Sequence, residues 1–460
     1  MTNQKIIQSI PQNQFRTKVL TKKSPYAHLF YKEIAWYEAI DIDLLAMIAI
    51  DKIDNDYCAM IFENNGRNQY QPLDNKTGIR TRTNAKNYIR NYIKSEIISH
   101  DSKNKQKESS GIDLFTICVP ESKLNPAFLR LLNWRAYSPA KELLIAITDD
   151  FEDKDGNFVK EFQTHGFDAR IWELYLFCYL KEENFKLQDL GSRPDYFIKK
   201  YEKELCIEAV TVGRKEKRTK GNIFLNNRNR MDSLNATDYS MDKMALRFGS
   251  PLYTKLQKKY HELDNVQGKP LIIAIADFYE DFSMTYTFNA VVNYLYGYKH
   301  SPIYDSNGNL IVVPKEIEGH EKGDKLIPSG FFFQENAENI SGVLFSNLGT
   351  ISKFNRIGLG SGYGEKDIVI NQVGMKYKYD LNAIYPKHFQ RLITYGSGDE
   401  SWSEGMSLFH NPNAKHPIPK HLFEKTTQHS FKEGEIVSYI LEPHPYFSYN
   451  YTFSLKGEVR

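Results

Sequence analysis

The chain has 460 residues and a formal net charge of +3, a length that calls for two or three structural units around a substantial core. Near-neutral charge excludes nucleic-acid binding by the whole surface and leaves only local basic patches for that purpose. The four cysteines, Cys58, Cys118, Cys178 and Cys206, form no CxxC pair, which argues against a zinc site or a disulfide framework and for a reducing cytoplasm.

The start, "MTNQKIIQSIPQNQFRTK", lacks the apolar core of a signal peptide, and no apolar run approaches the ~20 residues that span a bilayer. A soluble, cytoplasmic protein with no membrane partner is expected. Residues 1–150 are expected to form an N-terminal α+β region that binds nucleic acid or a partner. In "LLAMIAIDKIDNDYCAMIFENNGRNQYQPL", β-favouring runs break at Asn55-Asp56 and at Asn65-Gly66, which predicts a meander. In "TNAKNYIRNYIKSEIISH", Ile89, Ile93 and Ile97 mark the buried face of an amphipathic helix, and Lys86, Arg90 and Lys94 form a basic stripe. The polar run at 101–111 reads as a loop. Ser138-Pro139 then reads as the N-cap and first residue of another helix. "DDFEDKDGNF" reads as a turn, since its oxygen ligands lack the spacing of a calcium loop.

The informative segment is 155–285. "FDARIWELYLFCYLKEEN" predicts a largely buried helix capped by Asp168, with Glu173 in its middle; a buried carboxylate is costly unless paired or holding a metal. "FKLQDL", "PDYFIKK" and "ELCIEAVTV" read as three strands, the last two joined by "YEKE" into an antiparallel hairpin. A basic stretch leads into a helix whose apolar face carries Leu252, Leu256 and Leu263, and "KPLIIAIADFY" reads as a strand covered on both faces. On the hairpin, Glu208 shares a face with Cys206, Val210 and Val212, and Asp195 shares one with Phe197, so the two carboxylates converge. Like charges that close repel unless a cation lies between them. Hard oxygen ligands without a His or Cys set favour Mg²⁺ or Mn²⁺.

Pro194-Asp195 on one strand, Glu208 on the next, Glu173 on the preceding helix and the αβββαβ order together resemble the PD-(D/E)xK superfamily of restriction-endonuclease-like nucleases. The resemblance covers roughly a quarter of the chain. It implies a restriction-endonuclease-like core at 155–285 within a mixed α+β or α/β chain, flanked by the N-terminal region and by a mostly β region at 286–460. It also implies a metal-dependent endonuclease acting on nucleic acid, in the first instance DNA, with a place in bacterial restriction or phage defence. By the same resemblance Asp195 and Glu208 would hold the metal and Glu173 would assist.

The family's lysine two residues after the Glu is absent, because that position is Val210. Some members supply the lysine from the following helix, which here offers Lys255 first and Lys258 second. Arg214, Lys215, Lys217, Arg218, Lys220, Arg228 and Arg230 follow the Glu208 strand directly, as a loop closing over phosphates would. Val210 keeps open the alternative of a catalytically inactive module that binds nucleic acid or a protein. Carboxylates too far apart to share one cation would instead indicate an unrelated α+β enzyme. Double-strand cleavage would suit a homodimer.

In the last region, "GLGSGYG" lacks the context of a dinucleotide or phosphate-binding loop and reads as a mobile loop, with Lys353 and Arg356 near enough to meet a phosphate backbone. His410, His416 and His421 lie among prolines and read as a structural turn. "PHPYFSYNYTF" reads as a closing strand pair.

Overall fold

Strands that are apolar on both faces are satisfied only between two covering layers. Every residue of Leu271–Asp277 is buried. In the computed structural model, which describes residues 6–99, 111–154, 156–191, 193–214, 241–280, 283–285, 287–322, 325–380 and 382–457, this strand runs through the middle of an eight-stranded mixed sheet. Across it the order is Glu435–Tyr439, Thr427–Lys432, Ser407–His410, Gly342–Phe345, Leu271–Asp277, Lys203–Val212, Tyr196–Lys200 and Lys186–Gln188. Leu271–Asp277 is parallel to both neighbours, and the last three strands form an antiparallel meander. The order of helix, three strands, helix and strand is present, with helices Phe167–Glu182 and Met241–Gln257. The protein is therefore a mixed α/β chain with several sheets.

Alternation along the strands sorts side chains into two cores. Tyr196, Ile198, Ile207 and Ala274 face one, and Phe197, Cys206, Ile273 and Ile275 face the other. Helix Phe167–Glu182 covers the first face, where Trp172 is fully buried and its indole Nε1 donates to the Ala274 carbonyl at 3.1 Å. This helix is entered from Gly166, not from Asp168; Asp168 lies in its first turn and pairs with Arg214. An acid there complements the positive helix end without capping it. Helix Met241–Gln257 covers the second face with Phe248, Leu252 and Leu256. It stops at Gln257 and the chain turns through Lys259 at φ +50°, so Leu263 lies beyond the helix and is exposed.

The N-terminal meander is formed by Tyr31–Ala39, Leu44–Asp51, Tyr57–Asn64 and Tyr70–Ile79, with Ile7–Ser9 added at one edge. Asn55 and Gly66 supply the positive φ its turns require. Helix Arg82–Ser99 packs Ile89 and Ile93 on this sheet and leaves Ile97 exposed. Arg90 and Lys94 of its basic stripe are exposed, and the Lys86 Nζ sits 5.3 Å from the centre of the Tyr37 ring. The expected loop at 101–111 lies outside the described residues except for Gly111.

Ser138 is the first helical residue of Ser138–Ile147, not its cap; its hydroxyl accepts from the Glu365 amide at 3.1 Å. The expected divisions at 150 and 285 are both crossed. Leu143 and Leu144 share a core with helix Phe167–Glu182, and strands Gly342–Phe345, Ser407–His410, Thr427–Lys432 and Glu435–Tyr439 complete the main sheet.

The "GLGSGYG" run is not a mobile loop, because its first three residues end the helix Ile351–Gly360. The glycines permit close packing: a Cβ on Gly358 would lie 2.4 Å from the Pro139 carbonyl oxygen, and one on Gly360 2.5 Å from the Cα of Gly398. Lys353 and Arg356 are correspondingly buried. Arg356 donates to both oxygens of Glu400 at 2.7 and 2.8 Å, and the Lys353 ammonium donates to the Glu404 carbonyl at 2.7 Å. Neither side chain can meet a phosphate backbone, because both are committed to internal acceptors.

Pro445–Ser454 pairs with Ile368–Lys376, which also pairs with Lys387–Ile393, in a separate three-stranded sheet. His410 bonds Gln428 at 2.9 Å. His429 stacks on Phe409 with ring centroids 4.5 Å apart. Burial first, and then the neighbouring His444 and His410, push His429 down to about 3, and burial pushes His444 down to about 4. Both pKa values lie below the unfolded value, so the stability these neutral rings contribute is complete above about pH 6.5 and is lost as pH falls towards 3. His429→Gln is expected to flatten the pH dependence of unfolding between pH 6.5 and 4.5 by about 1.4 kcal/mol per pH unit. Urea denaturation across that range measures it, and an unchanged slope would refute it. No helix among the described residues is long and apolar enough to cross a membrane.

Candidate active site

The hairpin ladder runs from Lys200 opposite Lys203 to Tyr196 opposite Ile207. One step beyond it, the same register sets Asp195 against Glu208. With the paired strand ended, the Ala209 amide needs another acceptor, and the Asp195 Oδ2 accepts from it at 2.7 Å. Glu208 lies on the face covered by helix Met241–Gln257, its side chain only 6% exposed. The Lys255 ammonium, held beside the sheet by Leu252 and Leu256, donates to the Glu208 Oε1. The Tyr260 hydroxyl donates to the same oxygen at 2.6 Å. Lys258 is exposed, with its Nζ 5.9 Å from the Tyr260 ring centre. Of the two candidate lysines, Lys255 is therefore the one at Glu208, because it projects from the sheet-facing side of the helix.

Glu173 approaches from the helix on the other face. Its Oε2 accepts from Arg170 at 2.7 Å, and Arg170 also donates to Glu161 at 2.7 Å, so the arginine has a structural pairing role. The hydroxyl of Tyr196, the residue after Asp195, donates to the Glu173 main-chain carbonyl at 2.7 Å and ties helix to hairpin. Burial, then the Asp195 carboxylate, raises the Glu173 pKa. Burial, then Glu208, raises that of Asp195. Glu173 thus feels the charge of Asp195, and Asp195 that of Glu208, in a mostly buried region.

Each of these acids has one oxygen engaged by the protein: Oδ2 of Asp195, Oε1 of Glu208 and Oε2 of Glu173. The second oxygen of each accepts no hydrogen bond from a described residue. Such hard, mutually repelling donors fit Mg²⁺ or Mn²⁺. Among the described residues no group of three His, Cys, Asp or Glu side chains is placed to hold an ion together. Mg²⁺ usually takes one or two carboxylates and completes its shell with water and phosphate oxygens, and Asp195 and Glu208 are the two residues that could supply them.

Of the basic residues expected to meet nucleic acid, Arg214 pairs with Asp168. Lys215, Lys217, Arg218, Lys220, Arg228 and Arg230 lie outside the described residues. Tyr260 is the site residue that sequence reasoning missed. It follows the helix through a left-handed turn at Lys259, and no periodicity carries across such a break.

The fold and site define a mixed α/β protein with a buried carboxylate cluster joined to one lysine. Comparison of the chain with protein-family models, curated proteins and solved structures returned no match.

Proposed function

We propose that the protein is a metal-dependent nuclease that hydrolyses phosphodiester bonds in DNA, built on a restriction-endonuclease-like core. The observation that carries this reading is the Lys255–Glu208 contact with Asp195 opposite: the helix that follows the hairpin delivers the amine that position 210 lacks. A bound Mg²⁺ or Mn²⁺ would draw electron density from the phosphate and acidify an attacking water.

Asp195 and Glu208 would hold the cation, each carboxylate oriented by the donor on its other oxygen. Lys255 sets a fixed positive charge beside the phosphate and a donor for the attacking water. Tyr260 keeps the Glu208 carboxylate in place, and Glu173, with its raised pKa, stands as the auxiliary acid. The products are a phosphomonoester end and a free hydroxyl: a phosphorus–oxygen bond forms to water, and the one to the leaving sugar breaks.

The test is incubation of purified protein with supercoiled plasmid and single-stranded DNA, in Mg²⁺, Mn²⁺ or EDTA. Cleavage in either metal and none in EDTA is expected. Salt-sensitive DNA binding without cleavage under any condition would overturn the reading in favour of the inactive binding module.

A further inference from the structure

A cavity of about 230 Å³ is lined by described residues none of which belongs to the carboxylate cluster. Its wall includes Phe288 and Asn289, which follow strand Leu271–Asp277, and Asn347, which follows strand Gly342–Phe345. The carboxyl ends of parallel strands are where sheets of this kind gather ligands. The remaining walls include Tyr385, Tyr446 and Lys378.

Three chemistries meet there. Phe288 and Tyr446 pack edge to face with centroids 5.0 Å apart, and Tyr385 lines the cavity while 79% exposed, so flat π surface is on offer. Two amides are available: the Asn347 Oδ1 accepts from Thr287 at 3.3 Å, while its Nδ2 and the whole Asn289 amide bond no described residue. The nine-residue helix Phe288–Tyr296 begins in the wall. Its preceding residue, Thr287, bonds Asn347 and makes no side-chain cap, which leaves the positive end of the helix for an anion. Lys378, paired with Asp380 at 2.9 Å, adds a cation at the rim.

A purely apolar ligand would leave the amides and the helix end unmatched, and a bare anion would leave the rings unmatched. We infer that the cavity binds a nucleotide, with its base against Tyr385, its base edge read by Asn289 and Asn347, and its phosphate towards the helix start and Lys378. Asparagine amides match the N6 and N7 pair of adenine, which makes adenine the first base to try. The same chemistry could arrive as a free nucleotide or as one residue of a strand. The inference does not rest on the proposed cleavage, whose residues are a different set.

The experiment is calorimetric titration of the full chain in EDTA with adenosine 5′-monophosphate, a single-stranded octadeoxyadenylate and inorganic phosphate. Wild type is compared with Tyr385→Ala, Asn289→Ala and Asp195→Asn. Saturable binding of the mononucleotide supports a free ligand, and binding of the oligonucleotide alone supports a strand. In either case Tyr385→Ala is expected to weaken binding at least ~10-fold, the scale of one lost base stack. Asn289→Ala should weaken it too, and Asp195→Asn should leave it unchanged. No nucleotide binding at millimolar concentration, binding matched by phosphate alone, equal affinity in both cavity variants, or loss of binding in Asp195→Asn would each overturn the inference.

Discussion

Asp195→Asn is expected to lower metal-dependent DNA cleavage by about 10³-fold, the scale of removing one preorganised electrostatic element from a hydrolytic site. Its predicted harmlessness to the fold is equally specific. The asparagine side-chain oxygen can still accept from the Ala209 amide, as Asp195 does at 2.7 Å. Removing its charge also relieves repulsion among Asp195, Glu208 and Glu173, the repulsion that helps raise the Asp195 and Glu173 pKa values. Thermal unfolding without added metal should therefore occur at or above the wild-type temperature. Initial rates in Mg²⁺ and a melting curve check both halves, and a rate close to that of wild type would remove Asp195 from the site.

Lys255→Met should lower cleavage about 10²- to 10³-fold and should also destabilise the protein. The Lys255 and Glu208 side chains are 15% and 6% exposed, so deleting the amine leaves a mostly buried carboxylate with only the Tyr260 hydroxyl. That loss is expected to cost about 1–3 kcal/mol. The more telling variant restores the amine from the strand. Val210 lies two residues after Glu208 on the same face and is half-buried, so Lys255→Met with Val210→Lys should recover at least ~10-fold of the lost rate. Single-turnover assays on wild type and the single and double variants decide it. Unimpaired cleavage by Lys255→Met would exclude Lys255 from the chemistry.

The hairpin was legible because strand alternation and a two-residue turn leave few registers, and one register sets Asp195 against Glu208. Lys255 was legible for a similar reason, since its spacing from Leu252 and Leu256 fixes it beside the buried stripe. What lay beyond reach was contact made across breaks in periodicity or long stretches of chain. Tyr260 follows a left-handed residue, and strand Ser407–His410 joins the main sheet beside Gly342–Phe345 from more than sixty residues away. The glycine run misled because glycine marks both loops and tight helix packing. Only the positions of Pro139 and Gly398 distinguish the two, and these are tertiary facts.

In the proposed site Asp195 and Glu208 jointly hold the divalent cation. Anomalous scattering from crystals grown with Mn²⁺ tests it directly. An anomalous peak within coordination distance of both carboxylates, absent from crystals of Asp195→Asn, is expected. A fully bound ion located elsewhere, or no ion at this pair under conditions that support cleavage, would contradict it.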